Sequence, residues 1–94
     1  MMQIDHVLPA DVPACAAGHR PVLVETRGAP HGHPIGTPAP TTWHIECARC
    51  RVATAPTQSR AMAETRWRFS KPQQLITTSD LSRYRAALAA HRAA

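Results

Sequence analysis

Thr41-Thr42-Trp43-His44-Ile45-Glu46-Cys47-Ala48-Arg49-Cys50-Arg51-Val52-Ala53-Thr54 is the stretch whose pattern sets the architecture. Trp43, Ile45 and Cys47 alternate with His44 and Glu46, the period of a half-buried strand. That strand runs straight into Cys47-x2-Cys50. Such a turn lets two thiolates from one tight bend reach a single ion at about 2.3 Å. Arg51 to Thr54 then leads away as a short return strand, stopped by Pro56. Strand, metal turn and strand together make a ribbon, and the ribbon needs a second pair of ligands from elsewhere in the chain.

Cys15-Ala16-Ala17-Gly18-His19 supplies that pair. Its extra residue and the longer imidazole arm replace a second Cys-x2-Cys, and Gly18 relaxes the backbone between the ligands. The site expected from the sequence is one structural Zn2+ held by Cys15, His19, Cys47 and Cys50. Four protein ligands close the coordination sphere, whereas catalytic zinc keeps a position open. His31 and His33 are rivals for the fourth position, ranked behind His19 because they sit in a Gly/Pro loop. A redox reading of Cys47-x2-Cys50 needs a βαβ setting that the flanking residues lack. Three cysteines cannot pair evenly, and no secretory signal precedes them, so a disulfide framework is not expected.

Composition agrees with a domain that depends on such a staple. Of 41 hydrophobic residues 17 are alanine, and only four residues are Phe, Trp or Tyr. A core this thin leaves metal binding to contribute folding free energy. No run of about 18 apolar residues exists to span a membrane, and a cytoplasmic protein with reduced thiols is expected.

Working outward, residues 1–14 read as an extended arm broken by Pro9 and Pro13. Pro21 to Thr26 is short and β-branched, a strand leaving the first ligand pair. Residues 28–40 hold three of the four glycines and four of the nine prolines, a density that forbids regular structure. Thr57 to Arg60 opens a helix running to about Phe69, with Thr57 as N-cap and Met62, Ala63, Trp67 and Phe69 on one broad face. Lys71-Pro72 ends it. Ser79-Asp80 starts a last helix reaching about Arg92, with Leu81, Tyr84, Leu88 and His91 at helical spacing. An isolated helix this short is marginal and must dock, on the ribbon or on a second copy of the chain. The expected fold is therefore α+β: a small zinc ribbon with a short antiparallel sheet over 15–70, a packing helix, and a connector and C-terminal helix over 71–94.

Trp43-His44-Ile45-Glu46-Cys47-Ala48-Arg49-Cys50, followed by Thr54, Ala61 or Ala63, and Trp67, resembles the Lar-type restriction-alleviation family of small phage and prophage zinc ribbons. The resemblance covers roughly residues 15–69. It implies a zinc-ribbon domain with a following helix and a role in blunting host restriction. Two departures stand out: the first pair is Cys15-x3-His19, and Arg51 occupies a position where the knuckle often has glycine.

Catalysis is not expected. His44-x-Glu46 beside Cys47-x2-Cys50 superficially matches zinc deaminases, but in those enzymes the two motifs come from separate elements, and here His44 faces away from Cys47. No His-Glu-x2-His, Gly-x-Ser-x-Gly or phosphate-binding glycine loop is present. The formal charge of +5 favours nucleic acid or an acidic protein surface. Arg49 and Arg51 in the metal turn, Arg60 and Arg68 on the first helix and Arg85 on the last are the candidate partner-binding residues. Their lack of interleaved exposed aromatics points to protein or phosphate-backbone contact instead of base stacking. The expected partner is a host defence protein or nuclease, in the manner of restriction alleviation or anti-CRISPR proteins. The alternative is a nucleic-acid-binding zinc-ribbon regulator, and the oligomeric state is a monomer or a homodimer through the C-terminal helix.

Overall fold

The computed structural model describes residues 2–15, 17–28, 41–69 and 74–93, the last five through their backbone alone. It is an α+β structure. Five antiparallel strands lie in sequence order, β1 (Met2–His6), β2 (Val22–Arg27), β3 (Thr42–Cys47), β4 (Val52–Ala53) and β5 (Ile76–Thr77). Helix α1 (Arg60–Phe69) follows β4, and α2 (Leu81–Ala93) follows a 3-10 turn at Thr78–Asp80. The proposed loop with His31 and His33 and the helix stop at Lys71-Pro72 lie outside the described residues.

The alternation in β3 works as its sequence requires. Register pairs Leu23 with Ile45 and Glu25 with Trp43 on one face, and Val24 with His44 and Thr26 with Thr42 on the other. The first face carries the apolar core, where Leu8, Val12, Leu23, Ile45 and Cys47 pack against Ala63 and Trp67 of α1. Pairing Thr54 with Ile45 extends the β3–β4 hairpin: the Thr54 N–H donates to Ile45 O at 2.9 Å, and the Ile45 N–H donates to Thr54 Oγ1 at 3.0 Å.

Four expectations are corrected. Residues 2–6 are no free arm, since β1 adds an edge strand along β2. The connector likewise supplies β5, paired with β4. Helix α1 starts later than Thr57, which is drawn into a bridge with Trp43; Ser59 takes over the cap, its hydroxyl accepting the Met62 N–H at 3.3 Å. The buried stripe of α1 is narrow, only Ala63 and Trp67, whereas Met62 and Phe69 are 49% and 78% exposed. Trp67 fixes the roll of the helix because its Nε1–H donates to Pro13 O at 2.9 Å, and that orientation leaves the flanking positions in water.

On the second face Val24, Thr26, Thr42 and His44 are all buried. Leu81 and Arg85 of α2 are buried too, and Arg85 comes close enough to Glu46 for their charges to interact. Leu88 is half-buried and Tyr84 exposed. Among the described residues no helix is long and apolar enough to cross a membrane.

Candidate metal centre

Cys47 ends β3 and Cys50 closes the turn before β4, so the β hairpin itself brings this pair together. Arg51 completes the bend with a positive φ of 58°, the left-handed conformation that usually selects glycine. Cys15 and His19 sit in the irregular segment between β1 and β2. There Gly18, with φ 87°, turns the chain so that its N–H donates to Cys15 O at 2.8 Å and the Cys15 N–H donates to His19 O at 2.9 Å.

The four side chains converge. The Cys15 and Cys50 sulfurs are 3.6 Å apart, and His19 Nδ1 lies 3.5 Å from Cys15 Sγ, 3.7 Å from Cys47 Sγ and 3.5 Å from Cys50 Sγ. All four ligand atoms lie within 4.8 Å of one another. A tetrahedron with metal–sulfur bonds of about 2.3 Å and a metal–nitrogen bond of about 2.05 Å has edges of roughly 3.8 Å and 3.6 Å. The four spacings between 3.5 and 3.7 Å lie close to those edges, and all three cysteines are free thiols.

The electrostatics point the same way. Burial pushes the Cys15 thiol up, but the His19 backbone N–H, the Cys47 and Cys50 side chains and the Ala17 backbone together outweigh it and bring the thiol down to about 6. Cys50 is held up at about 11, first by its contacts with Cys15 and Cys47 and then by burial. One thiolate forms readily and its charge keeps the next proton in place. A cation at the centre of the cluster replaces those protons, and metal binding at such sites releases them. The His19 N–H directed at Cys15 Sγ, at 3.3 Å, spreads the sulfur charge into the backbone. The residues present therefore fit one metal ion, held by Cys15 Sγ, His19 Nδ1, Cys47 Sγ and Cys50 Sγ.

The proposed partner-binding arginines divide. Arg49 and Arg51 are exposed at the metal turn, and among the described residues neither side chain has an ion-pair partner. Arg60 is exposed and lies 3.6 Å from Glu64 one turn on. Arg68 is engaged by Asp11, 3.1 Å from its carboxylate. Arg85 is a correction: it is only 5% exposed and faces the sheet. Its place in a polar, alanine-rich helix concealed this, because charges on such a helix are read as solvated.

Sequence reasoning also missed Arg20. Its guanidinium donates to Val12 O at 2.7 Å and to Pro9 O at 3.2 Å, tying down the segment that leads to Cys15. Two prolines within five positions, which leave carbonyls without ladder partners, were the available signal. Beside the metal cluster lies an open cleft of about 390 Å³ bordered by His19, Val22, Glu46 and Arg49. Comparison of the chain with protein-family models, with characterised proteins and with solved structures finds no match.

Proposed function

We propose that the protein is a non-enzymatic zinc ribbon of the Lar type, encoded by a phage or mobile element, that binds and inhibits a host defence nuclease in the cytoplasm. Zinc is the metal that a Cys3His donor set with tetrahedral spacing suits best. With all four positions filled by protein, its part is to hold the two halves of the fold together. Thr54 and Trp67, both in the quoted resemblance, have structural tasks here, the first closing the hairpin and the second packing α1.

The observation that carries the reading is the pair Arg49 and Arg51, exposed at a turn fixed by the metal cluster. Guanidinium forks held at a rigid tip can meet carboxylates or phosphates bidentately at small cost in side-chain entropy. The test is cleavage of DNA by a purified host restriction or CRISPR nuclease with stoichiometric added protein. Inhibition that is lost in the Arg49→Ala/Arg51→Ala double variant, with zinc and fold retained, is the expected result. Full cleavage by restriction and CRISPR nucleases alike overturns it.

The net positive charge favours a second reading, a nucleic-acid-binding regulator. That reading requires duplex affinity that falls steeply with salt, because each neutralised phosphate releases counterions. Self-association through α2 is tested separately by native mass spectrometry of Leu88→Asp, which abolishes any dimer built on that helix.

A further inference from the structure

The two edges of the sheet end differently. At one edge β5 is only Ile76–Thr77 and runs straight into the 3-10 turn. At the other, β1 runs for five residues and pairs with β2 without a bulge, from Met2 opposite Arg27 to His6 opposite Leu23. Alternate residues of an edge strand turn their N–H and C=O groups away from the sheet, and the row they form is a template for another strand. Proteins blunt such edges with lysine, proline or a bulge. Strand β1 has none of these, and among the described residues no strand lies on its outer side.

The side chains of β1 select the strand that fits there. Met2, Ile4 and His6 share the core face with Leu23 and Glu25, while Gln3 and Asp5 lie on the opposite face. Gln3 and Asp5 are exposed, Met2 is 54% exposed, and Ile4 and His6 are half-buried. The His6 ring is held in place, its Nε2 3.0 Å from Glu25 Oε1 and its centroid 5.8 Å from that of Trp43. A second copy can add antiparallel about a two-fold axis perpendicular to the sheet. Directly opposed residues must then come from the same face, so the axis passes through a residue and not between two. Centring on Asp5 sets two carboxylates against each other, which is destabilising. Centring on Gln3 leaves Asp5 and His6 beyond the partner strand. Centring on Ile4 uses the whole strand: Ile4 meets Ile4, Gln3 meets Asp5 and Met2 meets His6, the last two pairs each formed twice. In that register no like charges are opposed, the Gln3 amide can donate to the Asp5 carboxylate, and the Met2 thioether falls beside the fixed His6 ring.

We propose that β1 is a self-association edge, where two copies of the chain pair antiparallel about Ile4 and join their sheets into one. The contact does not rely on α2, and it is independent of the proposed inhibition of a nuclease.

The test is sedimentation equilibrium of the metal-loaded full chain over a series of protein concentrations at low salt. A reversible monomer–dimer equilibrium is expected. Gln3→Asp opposes two pairs of carboxylates in each dimer and raises the dissociation constant about tenfold, whereas Gln3→Lys forms two opposite-charge pairs and lowers it about tenfold. Gln3 is exposed, so neither variant disturbs the fold, and circular dichroism checks that. Leu88→Asp leaves the equilibrium unchanged. Hydrogen exchange locates the contact independently, since amides at 2–6 should exchange more slowly as protein concentration rises. A monomer at every concentration, a dimer indifferent to both changes at Gln3, or a dimer lost in Leu88→Asp overturns the proposal.

Discussion

The two halves of the metal cluster are built by different means. Cys47 and Cys50 sit on a hairpin whose backbone is paired on both arms, Glu46 with Ala53 and Cys47 with Val52, and the Thr78 N–H donates to Arg51 O at 3.0 Å to tie the tip to the 3-10 turn that follows β5. Cys15 and His19 have no ladder around them. Their segment is fastened by side chains reaching its carbonyls: Trp67 to Pro13, Arg20 to Val12 and Pro9, and Arg68 to Asp11. One half is a product of the sheet, and the other stands on these side-chain hydrogen bonds, on Leu8 and Val12 packed in the core, and on any metal the cluster holds. The difference says where the metal matters most. An ion held by the four ligands would join an irregular loop to a turn that the sheet already forms.

The largest effect should follow from breaking that junction. Structural zinc sites contribute about 10–16 kcal/mol in small peptides, as much as the whole stability of a typical domain, roughly 5–15 kcal/mol. Cys47→Ser, or chelation of the metal, is therefore expected to abolish cooperative thermal unfolding measured by circular dichroism. A Cys47→Ser protein melting like the unaltered chain would remove the metal from the account of the fold. Hydrogen exchange during slow chelation sharpens the comparison: amides at 17–20 should lose protection before those at 43–47.

Trp67→Ala comes next. It removes the largest side chain of the first-face core and the bond to Pro13, and truncations of this kind cost about 3–5 kcal/mol. Trp67→Phe keeps most of the packing and loses only the donor, at about 1 kcal/mol. Urea unfolding of the metal-loaded protein measures both. If the loop rests on that hydrogen bond, Trp67→Phe should also speed metal loss to a chelator, although the packing of the ring in the core it shares with Cys15 and Cys47 is largely kept. An unchanged rate would mean that packing alone holds the loop.

Arg20→Met tests the same half from its other end. Two side-chain bonds to carbonyls are lost, the one to Pro9 solvent-exposed, so the cost is about 1–3 kcal/mol, close to the usual value for a single bond to a charged group, and the effect should fall on the Cys15 segment with β3 unaffected.

The contrast between the halves also explains what was legible in the sequence. Cys47-x2-Cys50 could be read because strand period and ligand spacing overlap in one contiguous stretch, where local rules suffice. Cys15 and His19 could be joined to it by chemistry, since a tetrahedral ion needs four ligands and the chain holds three cysteines. Strand β1 was hidden by its neighbours: Met2 to His6 lacks a clean alternation, and Pro9 and Pro13 suggest an arm. Its pairing is decided by the exposed edge of β2, a tertiary fact. The cap passed from Thr57 to Ser59 for a similar reason, because the bridge to Trp43 claimed Thr57 first. Arg85 was read as surface because helical patterning places charges outward. Only the folded structure reveals the half-buried Glu46 whose charge it meets.

The smallest effects are of opposite sign and probe the backbone alone. Gly18 and Arg51 each hold the left-handed bend of their half. At Gly18 a Cβ would meet no atom within 4 Å, so Gly18→Ala is charged only with the conformation, about 1 kcal/mol of lost stability. Arg51 already bears that cost. Arg51→Gly relieves it, offset in part by the greater freedom of glycine in the unfolded chain, for a net gain of up to about 1 kcal/mol. Paired urea midpoints of the metal-loaded variants measure both. A loss of stability in Arg51→Gly would show that the arginine side chain itself supports the turn. The two bends would then differ in more than their residues, with the hairpin half resting, like the loop half, on a side chain reaching beyond its own backbone.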